Sequence, residues 1–430
     1  MKVLCAGDLH IGRRPTRLPP GADSRRLSCA RAWEALVEYA VDQRVDVLAL
    51  SGDVVDQSNK FYEAIGPLER GLRHLAAAGV VTVAVAGNHD YDVLPQIARS
   101  IGDGSFRLLG AGGEWERFTI KRESGETLHV DGWSFPAEHV RQNPLDSYGF
   151  APDGDTPTLG LLHADLDAPR SSYAPVMLSD LQARSVALWL LGHIHVPKLH
   201  SARHGAPVLY PGSLQPMDPG EPGVHGAWLL ELKPLAAAEP RIVPLASVRY
   251  AAAEADVTGV ASIAELRTLV NERLRSSITQ LVDESGARLH ALSLRLGIVG
   301  STSLHRQIEH ELTTLREDFD WRSGDASAFV EAISVATRPV RDLDALARGD
   351  DAVALLARLA RDLASPGGHD VASASLMDGA RAAASTLLDA RQYRYVADLR
   401  DGFDDGSLRV LVAQQSLSLL DELLAQKELA

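Results

Sequence analysis

The chain has 430 residues, 57 acidic against 43 basic, and a formal charge of −14 at pH 7. That length exceeds a single minimal domain and points to two or three, while the negative charge argues against a protein that grips nucleic acid unaided, because phosphate contacts dominate such affinity. Cys5 and Cys29 supply neither a disulfide framework nor a metal cluster, which fits a reducing cytoplasm. A single Lys2 precedes the first strand and no apolar run reaches the ~18 residues needed to span a bilayer, so a soluble cytoplasmic protein with no membrane association is expected.

Four short, largely apolar runs come first: Val3 to Ala6, Val45 to Leu50, Val80 to Val85 and Val186 to Leu191. They read as buried strands, and each leads into a glycine, at 7, 52, 87 or 192, and then a polar residue. Helical stretches follow the first three, at Cys29 to Gln43, Phe61 to Ala78 and Pro95 to Ser100. Strand, polar loop and helix in alternation predict an α/β fold whose sites lie along one sheet edge. The glycines predict sharp turns there.

The loops carry Asp8-Leu9-His10, Gly52-Asp53, Gly87-Asn88-His89-Asp90 and Gly192-His193-Ile194-His195, and the strand-like run Thr158 to Leu162 ends in His163. Carboxylate, imidazole and one carboxamide without thiolate suit manganese, iron or zinc, manganese first. Two such ions roughly 3.5–4 Å apart clamp a phosphate and acidify water, which a negatively charged ester needs before it can be hydrolysed.

All five blocks occur in order, and the series resembles the calcineurin-like metallophosphoesterases. That likeness implies a β-sandwich core flanked by helices. Asp8, His10, Asp53 and His195 would hold one metal, and Asp53, Asn88, His163 and His193 the other, with Asp53 bridging. His89 would protonate the leaving oxygen and Asp56 would orient its ring; capping the next helix is the plainer use of Asp56. His74, His129, His139, His200, His204 and His225 fit no block and read as structural or exposed.

After Asp56 the chain reads Gln57-Ser58 and lacks the Arg-Gly of protein phosphatases of this superfamily. Val208 to Pro216 is similar to a segment in SbcD-type nuclease subunits of DNA-repair complexes, and His163 to Pro175 followed by Leu178 to Leu181 to their YhaO-like branch. A helix capped by Ser179 is the local reading of the latter. The resemblance implies a DNA exonuclease acting through metal-activated water, with a cyclic-nucleotide or other small-molecule phosphodiesterase as the alternative. Arg13, Arg14, Arg17, Arg25 and Arg26, opposed only by Asp23, crowd the loop after the first motif, where they could meet a DNA backbone or simply be solvated.

Composition shifts after Lys233, and the Ala- and Pro-rich Pro234 to Pro240 and the Ala-rich Ala251 to Ala255 bracket the exit from a catalytic domain over 1–245. Helix, strand, helix and strand are predicted at Ile263 to Val282, His290 to Val299, Leu304 to Leu315 and Ala328 to Thr337, within a domain over 246–338 that resembles the capping domain of these nucleases. From 339 to 430 the chain reads as helical, with amphipathic stretches at Asp351 to Leu363, Ala372 to Leu388 and Leu408 to Leu429 around Ser365-Pro366-Gly367-Gly368. Such helices pack on each other or meet a partner. The resemblance implies as partner a separate ABC-type coiled-coil ATPase, SbcC-like or YhaN-like, and allows a homodimer. The chain itself holds no Gly-x-x-x-x-Gly-Lys loop, so the ATPase must be another polypeptide.

Overall fold

The computed structural model describes residues 1–56, 64–101, 106–202, 204–233, 239–317, 319, 321–364, 371–389 and 404–429. Gln57-Ser58, the start of the helix expected from Phe61 and the Ser365 to Gly368 break lie outside them. Packing divides the chain into two units, the larger formed by 1–255, 270–297 and 312–334, the smaller by 256–269, 298–311 and 335–430.

The larger unit is built on two six-stranded sheets. In the first, β1 (Lys2–Ala6), β2 (Val47–Leu50), β3 (Val81–Ala84) and β4 (Phe106–Leu108) run parallel, and the pair β11 (Gly226–Glu231) and β12 (Arg241–Pro244) closes the β1 side antiparallel. In the second, β6 (Thr127–Trp133), β7 (Thr158–His163), β8 (Leu188–Gly192) and β10 (Val208–Tyr210) are parallel neighbours, edged by antiparallel β5 (Glu116–Lys121) and β9 (Lys198–His200).

Alternation along each strand explains why these runs are apolar throughout. Val3, Cys5, Val47, Ala49 and Val83 face Val130, Leu159, Leu161, Leu188 and Leu190 in one core between the sheets. The alternate residues Leu4, Leu48, Leu50 and Ala84 pack with helices α1 (Cys29–Asp42), α2 (Ile65–Ala77) and α3 (Leu94–Ile101) in a second core. A strand covered on both faces has no polar face to show. On the far side of the second sheet a third core gathers Trp133, Phe135, Leu162, Trp189 and Tyr210.

The helix expected to be capped by Ser179 is α4 (Leu178–Gln182), whose N-cap is Met177 without a side-chain cap; Ser179 lies inside the first turn, and the Asp167 carboxylate accepts from the Leu178 N–H at 2.9 Å instead. The Ala-rich stretch from Ala251, expected to mark an exit from the catalytic domain, is part of a nine-residue strand, β13 (Val248–Asp256), with Ala253 and Ala255 buried and Ala252 and Glu254 exposed. Pairing overrides alanine's helix preference there. β13 starts a third sheet, ordered β13, β14 (Ala291–Ser301), β16 (Ala326–Arg338), β15 (Trp321–Ser323), which alternates in sequence with α5 (Ile263–Ser285) and α6 (Ile308–Glu317).

In the smaller unit, α7 (Leu343–Leu346) is capped by Asp342, and the stripe Val353, Ala357, Ala360 and Leu363 of α8 (Ala352–Ala364) is buried. α9 (Val371–Asp389) and α10 (Asp405–Leu429) complete the group: Leu420 packs with Val353 and Ala357, Leu408 with Leu363 and Met377. These helices therefore pack on each other while leaving Val410, Leu411 and Leu419 of α10 exposed. No helix among the described residues is long and apolar enough to cross a membrane.

Leu128 is fully buried between the two sheets of the larger unit and away from the polar loops. Leu128→Ala should cost about 2–5 kcal/mol, read in urea as a lower midpoint at unchanged slope; a loss under about 1 kcal/mol would mean that the sheets close over the gap.

Candidate metal centre

The polar loops leave the C-terminal ends of β1, β2 and β3 in one sheet and of β7 and β8 in the other, so the two-sheet packing brings them to one place. Backbone bonds tie the loops together. Asp8 and His10 donate N–H to the carbonyls of Gly52 and Asp53 at 3.1 and 2.9 Å, and the Asp8 carboxylate accepts from the His193 N–H at 3.0 Å. Asp53 Oδ1 accepts from the His89 N–H at 2.9 Å.

These bonds hold the backbone in conformations that side chains disfavour. Asp8, His10, Asp53 and His193 have φ of 49°, 43°, 49° and 101°, each costing about 1–3 kcal/mol unless the surroundings impose it. Of the glycines expected in sharp turns, only Gly52 has a left-handed φ, 96°. Gly87 is there for want of room: a Cβ would collide with the Asp53 carboxylate.

Donor atoms converge in three overlapping groups, each within 4.8 Å: Asp8, His10 and His195; Asp8, Asp53 and His163; His10, Asp56 and His89. Asp53 Oδ2 lies between two imidazoles, 3.8 Å from His10 Nε2 and 3.4 Å from His163 Nε2. His163 Nε2 also stands 3.0 Å from Asn88 Oδ1, with its Nδ1 3.0 Å from the Ser51 carbonyl oxygen. The His193 imidazole packs edge-on against His163, ring centroids 5.4 Å apart, with its Nε2 3.5 Å from Asp165 and its ring tilted on Tyr173. Asp56 lies 3.4 Å from His10 Nδ1 and 3.9 Å from His89 Nδ1, closer to the former. Arg13 reaches Asp56 at 3.8 Å; Arg17, 69% exposed, turns instead to Glu331 at 3.7 Å. Arg14 is exposed.

Three carboxylates, Asp8, Asp53 and Asp90, are at most 2% exposed. Burial raises Asp8 and opposes ionisation of Asp53, yet the imidazoles of His163, His10 and His89 bring Asp53 below its ordinary value. Burial and the Asp53 charge push Asp90 up to about 8. His195 is half-buried, which disfavours its charge, but the Glu221 hydrogen bond and the Asp8 and Asp53 carboxylates raise it to about 9. Burial and neighbouring His163 lower His193 to about 4. The His10 and His195 Nε2 atoms stand only 3.2 Å apart, so two ring nitrogens point at one spot. Buried anions and converging nitrogen lone pairs, without thiolate, are a donor set that divalent cations fit.

Residues 1–197 match the calcineurin-like phosphoesterases, and residues 250–338 the middle domain of metallophosphoesterase YhaO. The chain carries a calcineurin-like phosphoesterase domain followed by a YhaO-type middle domain. It is 26% identical over 216 residues to a protein of Bacillus subtilis described as the uncharacterized metallophosphoesterase YhaO, covering 46% of this chain and 48% of that one. Two proteins named DNA double-strand break repair protein Mre11 are also similar: that of Aeropyrum pernix at 28% over 53% of this chain and 56% of its own, and that of Haloferax volcanii at 29% over 63% and 58%. The chain thus spans about half the length of the curated relatives it matches.

Two supporting carboxylates of this centre escaped sequence reasoning. Glu221, 7% exposed, bonds His195 Nδ1 at 2.8 Å and accepts from Ser213 Oγ and the Met217 N–H, which turns His195 Nε2 toward His10. Its position 26 residues after its histidine offers no local signal. Asp90 accepts from the N–H groups of Gly87, Val54 and Val55 and so clamps two of the loops together. Its signal was its place at the end of Gly87-Asn88-His89-Asp90.

A ligand imidazole must be neutral, so a cation at His195 displaces a proton. Apparent metal affinity should rise with pH up to about 9, and His193, lowered to about 4, should add nothing to that dependence. Titration calorimetry of the metal-free protein with Mn²⁺ at pH 7.5, in two buffers of different ionisation enthalpy, measures the proton released. Identical heats in both would show His195 neutral beforehand.

Proposed function

We propose that this metallophosphoesterase is the DNA nuclease subunit of a repair complex. Asp8, His10, Asp53 and His195 would hold one divalent ion and Asp53, Asn88, His163 and His193 a second, manganese being the first choice. One observation carries the two-ion reading: Asp53 Oδ2 lies within 3.8 Å of His10 Nε2 and 3.4 Å of His163 Nε2, the placement a shared ligand requires. Bound there, divalent ions neutralise phosphate oxygens and make hydroxide available near neutral pH.

The protein's own groups divide the remaining work. Asp90 and Glu221 hold loop and imidazole still. His89, 29% exposed beside the buried donors, can reach an ester and give a proton to the leaving oxygen. Asp56 keeps the His10 and His89 rings in register from 3.4 and 3.9 Å, and Arg13 completes the rim beside it. The Mre11-named relatives and the YhaO-type middle domain support a polymer substrate over a small diester.

His89→Ala should keep both ions and lose at least 100-fold in turnover on bis-p-nitrophenyl phosphate and on labelled duplex DNA, whereas Asp53→Asn should lose both ions and His195→Ala chiefly one. Metal analysis beside the two assays decides. Loss of metal from His89→Ala would make it a ligand, as its grouping with His10 and Asp56 allows; equal stoichiometry in the other two would remove the bridge. A wild-type enzyme that cleaves the chromogenic diester but no DNA would favour the small-molecule phosphodiesterase.

The region from Asp342 onward is the proposed seat of a separately encoded coiled-coil ATPase. Its support is the exposed Val410, Leu411 and Leu419, at 58%, 45% and 51%, on a helix whose Leu408 and Leu420 are already used internally. Replacing those three exposed residues by serine should cut co-purification with the ATPase at least tenfold and leave both the melt and small-diester cleavage unchanged. Full co-purification would place the docking surface elsewhere.

A further inference from the structure

His225 fits none of the ligand blocks, yet it is only 2% exposed and stands at the end of a chain of hydrogen bonds that reaches His195. Its Nδ1 lies 2.8 Å from the Ser213 carbonyl oxygen and 3.1 Å from Ser213 Oγ. Ser213 Oγ donates to Glu221 Oε2 at 2.8 Å, and Glu221 Oε1 lies 2.8 Å from His195 Nδ1. Ser213 and Glu221 are both buried, so these bonds form away from water, where they are strongest.

Each proton in this chain has one place to be. Burial lowers His225 below its ordinary value, so the ring is neutral and carries a single N–H. Nδ1 faces two oxygens while Nε2 has no hydrogen-bond partner, which puts the proton on Nδ1. Ser213 Oγ therefore accepts from His225 and gives its own proton to Glu221. The Met217 N–H donates to the same Glu221 oxygen at 2.9 Å, which leaves Oε1 to accept from His195 Nδ1. Nε2 of His195 is then the nitrogen left for an ion.

The backbone anchors the same serine at the centre. Its N–H donates to the His195 carbonyl at 2.8 Å, and it pairs with Gly7, just before Asp8. β13 holds the loop that carries Glu221 from its other side. The Gly223 N–H donates to the Tyr250 carbonyl at 3.1 Å, and the Tyr250 hydroxyl donates to the Met217 carbonyl at 3.4 Å.

We propose that Ser213 and His225 are positioning residues of the metal centre, which hold Glu221 as a fixed acceptor for His195 Nδ1 and so present His195 Nε2 to the ion it shares with Asp8 and His10. The proposal rests on the two-ion reading above. Groups behind a ligand imidazole fix its tautomer and ring orientation, and losing one typically costs about 10–100-fold in metal affinity.

The test is titration calorimetry of the metal-free full chain with Mn²⁺, beside thermal melts. Ser213→Ala and His225→Leu should each weaken one of the two ions about tenfold or more and leave the other at its wild-type affinity. His225→Asn should restore binding, because an asparagine amide nitrogen stands as many bonds from the backbone as Nδ1 and can donate to the same oxygens. A His225→Asn variant as weak as His225→Leu would overturn the role of the Nδ1 proton. Ser213→Ala removes only a hydroxyl oxygen and keeps the test alive should His225→Leu fail to fold. A double-mutant cycle with Glu221→Ala decides whether both residues act through Glu221. If they do, adding Ser213→Ala or His225→Leu to Glu221→Ala should cause no further loss. Losses that multiply in the double variants, or that fall equally on both ions, would overturn the positioning role in favour of a general loosening of the fold. His195→Ala, titrated alongside, separates this inference from the reading beneath it. If that variant still binds two ions, the ligand assignment falls; if it loses one while Ser213→Ala binds both as the wild type does, only the positioning role falls.

Discussion

Two carboxylates, Asp8 and Asp53, are buried together with donor atoms within 4.8 Å of one another. Two like charges at that separation repel by about 3–4 kcal/mol at an effective dielectric of about 20, besides the cost of removing each from water. The surrounding structure answers that problem. His10, His163 and His195 crowd the same spot, backbone N–H groups of His89 and His193 point at the carboxylates, and His195 is raised to about 9 by its anionic neighbours. A site arranged to offset so much buried negative charge is one that divalent cations complete.

The scaffold meets a second cost, in the backbone. Asp8, His10, Asp53 and His193 are all left-handed, and residues other than glycine adopt that state only when neighbours over-determine it. The over-determination is visible in the three N–H bonds to Asp90, in the cross-loop bonds from Asp8 and His10, and in two apolar cores that hold the strand ends in register. Rigid strands feeding strained loops are how an enzyme aims side chains to within a fraction of an ångström.

Parts of the chain beyond the phosphoesterase core follow a looser logic. The middle domain's strand β13 runs through the alanine-rich stretch, where composition suggested only a boundary, and its edge strand β15 spans three residues, too short for any periodicity to reveal. The C-terminal helices behave as their amphipathic pattern suggested in one respect, packing on each other through Val353, Ala357, Leu408 and Leu420. Their exposed leucines and valines leave apolar surface that internal packing does not use.

Sequence by itself determined the α/β alternation and the strands that carry the loops, and it singled out the candidate donors, because apolar runs covered on two faces and a series of Asp, His and Asn after glycine leave local marks that survive without neighbours. It also determined the family, through the order of those blocks. Only the tertiary structure decided which donors meet: that Asp53 lies between His10 and His163, that Asp56 stands nearer His10 than His89, and that His193 turns toward Asp165 and Tyr173. Glu221 and Asp90 became legible only there as well, and so did the pairing of Arg17 with Glu331 across more than 300 residues of chain. The physical reason is the same throughout. A side chain's type and its place after a strand are local properties, whereas its partner is set by how two sheets and their loops close on one another, and no pattern along the chain encodes that distance.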